Sequence, residues 1–203
     1  MAGMGKPTRW ATDTKPGHSQ WYIERFRAMR RDGADLAGEA RTLDAMLRRG
    51  SRVLDAGCGT GRVSAELHAR GHVVVGVDAD PALIEAARED HPEVPTLLAA
   101  DLADLDLAGQ GVTEPFDAIV CAGNVMTFLA AGTEVDVLRG FADHLAPDGF
   151  AVIGFGTDRG YPLADFDAHC AAAGLVLEQR FATWDLRPWE KSAGFAVTVL
   201  RRP

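Results

Sequence analysis

One run of nine residues constrains this chain more than any other: Val53-Leu54-Asp55-Ala56-Gly57-Cys58-Gly59-Thr60-Gly61. It leaves an apolar strand, passes three alternating glycines and enters a helical pattern at once. Glycine at such a turn lets the backbone take positive φ and lets a ligand approach the main chain closely. A strand-turn-helix unit of this kind belongs to an open sheet with crossover helices.

The rest of the chain repeats that alternation. Strands are expected from Val53, over Val73–Val77, Leu97–Ala100, Phe116–Cys121, Phe150–Phe155, Leu175–Ala182 and Phe195–Leu200. Between them lie helical patterns over Arg62–Ala69, Pro81–Glu89, Glu134–Leu145 and Leu163–Ala173. Asp80 is placed to cap the second of these, with Pro81 at its first position. Two further helices precede the first strand, Ser19–Arg31 and Leu36–Leu47, the latter stopped by Gly50. Strand and helix in alternation predict a mostly parallel sheet covered on both faces. The last two strands lack a helix between them and are expected as an antiparallel pair at an edge. Residues 1–18, mixing Gly, Pro, Thr and Lys without periodicity, read as a flexible N-terminal tail. Residues 19–203 read as a single domain, with N-terminal helices over 19–50 and the core over 51–203.

Composition excludes several partners. The net charge is −8, with only 21 Lys and Arg, so no basic stripe for a phosphate backbone is expected. No apolar run approaches a membrane span and no signal-peptide core opens the chain, so a cytoplasmic location is expected. Cys58, Cys121 and Cys170 are odd in number and far apart, which suits neither a disulfide framework nor a zinc site. They are expected as reduced thiols in or near the core, and no metal is expected.

A glycine-rich turn alone serves a dinucleotide, a phosphate or an adenosyl ligand. Two details separate these. The spacing is Gly-x-Gly-x-Gly, not the Gly-x-Gly-x-x-Gly of a pyrophosphate site. Asp55, two positions before the first glycine, would repel a pyrophosphate but suits an ammonium group. S-adenosylmethionine carries that ammonium and no phosphate.

From this point the chain resembles the class I S-adenosylmethionine-dependent methyltransferases, whose loop reads Asp/Glu-x-Gly-x-Gly-x-Gly. Further motifs follow in order: Val75-Gly76-Val77-Asp78, Ala100-Asp101-Leu102, Phe116-Asp117-Ala118-Ile119-Val120-Cys121, and Pro147-Asp148-Gly149 before Phe150. The resemblance covers Ser51 to the end. It implies a Rossmann-like, doubly wound, mostly parallel seven-stranded α/β sheet with an antiparallel last strand and helices on both faces. It implies S-adenosylmethionine as cofactor, with S-adenosylhomocysteine as product. Asp55, Gly57, Cys58, Gly59 and Gly61 would form its loop, Asp78 would hold both ribose hydroxyls, and Ala79 beside it would also contact the cofactor. Asp101 and Leu102 would lie near the adenine, with Ala122 after the fourth strand.

In an open parallel sheet, ligands sit beyond the carboxyl ends of the strands. The acceptor pocket is therefore expected from residues 122–129, 156–161 and 183–191. Candidate substrate contacts are Asn124, Phe128, Arg159, Tyr161, Trp184, Arg187 and Trp189. Asn124 either accepts a hydrogen bond from a ligand or tolerates a left-handed turn; Trp184 and Trp189 either wall a pocket or cover the sheet edge. Trp21, Tyr22 and Arg25 on the first helix form an expected lid, with Arg25 or His18 near the cofactor carboxylate, against plain helix packing. Tyr22, His18 and Asp185 are the candidate proton acceptors.

Absent motifs narrow the class. Residues 123–126 lack the Asn/Asp-Pro-Pro-Tyr of amino-methylating nucleic-acid enzymes, and Cys121 lacks the preceding proline of cytosine C5 enzymes. A methyltransferase acting on a small molecule at N or O, without nucleic acid or membrane, as a monomer or homodimer, is the expectation. The alternative is a non-catalytic S-adenosylmethionine-binding protein that senses the cofactor or partners another enzyme. A nicotinamide-dependent oxidoreductase is disfavoured by Asp55 and the glycine spacing.

Overall fold

A computed structural model describes residues 6–202. In chain order the helices before the sheet are α1 (Arg9–Asp13), α2 (His18–Arg31) and α3 (Gly38–Met46). The core follows as β1 (Arg52–Ala56), α4 (Arg62–Ala69), β2 (Val73–Asp78), α5 (Pro81–Asp90), β3 (Thr96–Ala99), β4 (Phe116–Cys121), α6 (Val125–Phe128), α7 (Glu134–His144), β5 (Leu145–Gly156), α8 (Leu163–Ala172), β6 (Val176–Phe181) and β7 (Phe195–Arg201).

The seven strands form one sheet in the order β3-β2-β1-β4-β5-β7-β6. Strands β1 to β5 run parallel, while β7 inserts antiparallel to both β5 and β6. The sheet is thus the expected Rossmann-like arrangement, with its antiparallel pair at one edge. The winding order reverses at β1, with β2 and β3 on one side and β4 and β5 on the other, which opens a crevice beyond the ends of β1 and β4.

Alternation along β1 distributes the core. Leu54 and Ala56 face one side with Val75, Val77, Ile119 and Ile153, under Leu138 and Phe141 of α7 and Phe166 of α8. Val53 faces the other side with Val74, Val120 and Val152, under Leu43 of α3 and Val63 and Leu67 of α4. Successive side chains on a strand point to opposite faces, so Asp55 shares the side of Val53 beneath α4. Cys58, Cys121 and Cys170 are all buried and unpaired. Asp80 caps α5 as expected, its carboxylate accepting from the Ala82 N–H at 2.9 Å.

Two expectations fail here. The Pro147-Asp148-Gly149 turn does not precede a fresh strand but lies inside β5, which already pairs through Leu145 with Phe116 and then shifts register. The tail expectation is corrected over Thr8 to His18; residues 1–5 lie outside the described residues. Thr8 caps α1 by accepting from the Ala11 N–H. The helix then packs Trp10 edge-on against Tyr22, 5.4 Å between ring centroids, and against Phe128 at the same separation. Order comes from these distant aromatic contacts, which local periodicity cannot report. No described helix is long and apolar enough to cross a membrane.

Candidate active site

The glycine loop is built by hydrogen bonds to the end of β2. Gly57 and Cys58 both donate to the Val77 carbonyl, at 2.7 and 2.9 Å. Gly57 has φ +79°, and a Cβ there would stand 2.3 Å from a methyl of Val125. Only glycine satisfies both conditions. A Cβ on Gly59 would touch the Tyr22 ring at 3.4 Å, so the ring of α2 lies directly over the loop.

Asp78 ends β2 with one carboxylate oxygen accepting from the Gly59 N–H and the other from the Asp80 N–H, each at 2.9 Å. A carboxylate has about four lone-pair sites, so both oxygens keep capacity for further donors. Enclosure by protein around the cavity floor pushes its pKa up to about 6, against the pull of the backbone N–H groups. Asp101 accepts from the Ala103 N–H at 2.9 Å, which starts a turn of 3-10 helix over Leu102–Asp104.

Above these groups lies a cavity of about 420 Å³, within the ordinary range for small-molecule sites. Its floor is Gly57, Gly59, Asp78, Ala79, Asp101, Leu102 and Ala122; its far wall is Gly123, Asn124, Val125, Phe128, Leu129 and Arg159. The roof is Thr8, Trp10, His18, Trp21, Tyr22 and Arg25. Arg25 stacks over Trp21, which in turn stacks on His18. Asn124 stands at φ +68° and its side-chain oxygen accepts from the Gly156 N–H at 2.7 Å. The left-handed-turn reading therefore describes it, and its carbonyl ties the end of β4 to the end of β5. Burial raises the Tyr22 hydroxyl above its ordinary pKa, with Arg62 opposing and Asp78 adding to the shift.

Several expected site residues stand elsewhere. Asp55 faces α4, fully buried, and accepts from the Ser64 hydroxyl at 2.6 Å; desolvation pushes its pKa up to about 6. Cys58 packs in a small core with Ala65 and Ile84, and Gly61 backs onto Ala87. Tyr161 is buried and bonded to His169 Nδ1 at 2.7 Å. Trp184 packs against Gly154 and its carbonyl accepts from Thr42, which is the sheet-covering alternative. Arg180 stacks over Trp189, while Asp185 and Arg187 are exposed and pair with each other. No residue of the 183–191 segment lines the cavity; Trp184 lies instead on the face of β5 at Gly154. Sequence reasoning missed Thr8, Trp10 and Leu83. The one local signal for Trp10 was the cap at Thr8, too little beside a helix of five residues. Among the described residues, no three His, Cys, Asp or Glu side chains are grouped to hold a metal ion.

Residues 53–149 match the family model described as a methyltransferase domain. Over the whole fold, the chain is 42% identical to a TehB-like S-adenosylmethionine-dependent methyltransferase from Corynebacterium glutamicum, with a TM-score of 0.86, covering 93% of this chain and 100% of that one. The chain belongs to the S-adenosylmethionine-dependent methyltransferases. A stretch of 110 residues of this methyltransferase, 54% of its length, is 33% identical to the ribosomal protein L11 methyltransferase of Symbiobacterium thermophilum, but spans 33% of that protein. An amino pentose methyltransferase from Micromonospora echinaspora, with the cofactor bound, shares the fold at 22% identity and a TM-score of 0.66, over 88% of this chain and 96% of that one.

The residues present fit the family's cofactor. A loop whose glycines leave no side chain in the cavity faces a carboxylate with spare acceptor sites, as a ribose with two hydroxyl donors requires.

Proposed function

We propose that this methyltransferase methylates a small molecule, at nitrogen or oxygen, inside the cavity roofed by Trp10 and Tyr22. The observation that supports this reading is the roof itself. Helices α1 and α2 cover the glycine loop and reach Phe128 on the far wall, leaving about 420 Å³ beneath. A macromolecular acceptor would have to displace them.

When bound, S-adenosylmethionine supplies a methyl group on a positively charged sulfur and leaves as the neutral thioether S-adenosylhomocysteine. The protein's part is alignment. Asp78 would accept from the ribose hydroxyls, Ala79, Asp101 and Leu102 would border the adenine, and Arg25 would face the carboxylate. Gly57, Gly59 and Ala122 would let the main chain approach closely. The acceptor would rest against Asn124, Phe128 and Arg159, beyond β4 and β5. Holding two reactants in line is worth up to about 7–11 kcal/mol of a bimolecular barrier.

Proton transfer asks little of the chain. Tyr22 keeps its proton at neutral pH because burial raises its pKa. His18 presents the imidazole on the roof that would take a proton from the acceptor, the nucleophile's lone pair having formed the new bond to carbon. An acidic surface and three buried, unpaired thiols favour a cytoplasmic protein that does not handle nucleic acid. It would act as a monomer or homodimer.

The test is calorimetric titration with S-adenosylmethionine, S-adenosylhomocysteine and NADH, followed by an acceptor screen that detects S-adenosylhomocysteine. Binding of the two adenosyl ligands and product formation with a small acceptor are expected. A folded protein that binds neither would overturn the reading, and tight binding with no product across a broad panel would favour the sensor alternative.

A further inference from the structure

Charge is distributed unevenly along the cavity. Asp78 and Asp101 stand at the ends of β2 and β3, and among the described residues no other Asp or Glu lines the space. Arg25, Arg159 and His18 line the rest. Among the described residues of this acidic chain ten arginines are held in ion pairs. Arg25 and Arg159 are not among them. Both side chains are exposed and free to pair, and each carries a planar fork of donors that matches a carboxylate bidentately.

The two arginines are placed differently. Arg25 lies one helical turn beyond Tyr22, whose ring covers Gly59, so it belongs over the glycine loop. Arg159 follows β5, and its stem packs on Gly156 at 3.2 Å from the position of a Cβ there. Gly156 is the same residue whose N–H is held by Asn124. Strand β5 lies two places from β1 in the sheet, about 10 Å at ordinary strand spacing. One cofactor carboxylate can use one guanidinium, and Arg25 is the one over its loop. Arg159 remains, lining the same cavity as Phe128.

We propose that Arg159 is a specificity-determining residue, and that the methyl acceptor is a small carboxylic acid with an apolar or aromatic body. This rests on the methyltransferase reading of the same cavity. Arg159 grips the carboxylate, Phe128 and Trp10 contact the body, and the carboxylate serves as a handle that sets which atom faces the methyl group.

The test uses protein saturated with S-adenosylhomocysteine, titrated with phenylacetate, benzoate and anthranilate against phenylacetamide, benzamide and anthranilamide. The acids are expected to bind roughly tenfold or more tightly than their amides, the ordinary advantage of a charge-assisted pair. Arg159→Gln is expected to erase that preference, Arg159→Lys to keep part of it, and neither to change S-adenosylhomocysteine affinity. Equal binding of acids and amides, no binding by any of them, or a preference that survives in Arg159→Gln overturns the proposal. Loss of S-adenosylhomocysteine affinity in both variants also overturns it, by making Arg159 a cofactor contact. Failure of wild-type protein to bind S-adenosylhomocysteine would instead remove the underlying reading.

Discussion

The indole N–H of Trp10 donates to Asp80 Oδ2 at 2.8 Å, across seventy residues of chain. The same carboxylate accepts from the Ser19 hydroxyl and caps α5, and the Asp80 N–H donates to Asp78 Oδ1. The roof is thereby tied to the residue next but one to the acid on the cavity floor.

Trp10→Phe keeps an aromatic six-membered ring and removes the N–H together with the pyrrole half of the indole. A hydrogen bond of net worth about 0.5–1.5 kcal/mol is lost, so release of S-adenosylhomocysteine should speed up roughly two- to tenfold. Stopped-flow displacement measures this. An unchanged release rate would mean that the roof does not gate the cofactor.

Asp78→Ala should weaken S-adenosylmethionine and S-adenosylhomocysteine binding by about 1.5–3 kcal/mol, the range for hydrogen bonds to a charged group. That corresponds to roughly ten- to 150-fold in Kd by calorimetry. The wild-type group titrates near pH 6, and the ionised form is the better acceptor. Affinity should therefore rise with pH up to about 6 and level off above it, the total fall below being limited to the roughly ten- to 150-fold loss of Asp78→Ala. Asp78→Asn should flatten this profile.

Asp55 tests burial by a different route. Its folded pKa, about 6, is raised from 3.8, so between these values the folded state binds the extra proton. Stability from this group is present below about pH 4 and lost as pH rises through 6, at most about 3 kcal/mol. Urea unfolding of wild type and Asp55→Asn at pH 4.5, 5.5 and 7 should show the wild type falling relative to the variant; parallel curves would contradict a buried ionisable Asp55.

Gly57→Ala should destabilise the protein by about 1–2 kcal/mol for a left-handed residue and a further ~1–3 kcal/mol for overpacking against Val125. Adding Val125→Ala removes the two methyls that a Cβ would meet at 2.3 and 2.7 Å. The double variant should recover the packing part in thermal or urea unfolding but not the backbone part. Additive losses would mean that the clash is relieved elsewhere.

Local chemistry made much of this legible. The loop over 57–61 declares its positive φ angles through glycine, and β2 announces its end through Asp78 and the Asp80-Pro81 cap. The alternation of strand and helix places these at the carboxyl end of a parallel sheet. Local chemistry misled where two readings share one pattern. Asp55 is correctly a strand-end acid, but the two-residue period of β1 turns it toward Ser64 and away from the cavity. Trp184, Arg187 and Trp189 look like pocket residues by type, yet none lines the cavity: Trp184 covers β5, Arg187 pairs with Asp185 and Trp189 stacks under Arg180.

By itself, the sequence determined the sheet, the glycine loop and the acids on the floor, because each is set by backbone conformations and periods that act over a few residues. Tertiary structure alone decided what closes the cavity. Trp10, in a stretch without periodicity, is held by Asp80, Tyr22 and Phe128. Contacts between residues so far apart along the chain exist only once the sheet has brought their strand ends together, and no local pattern encodes them.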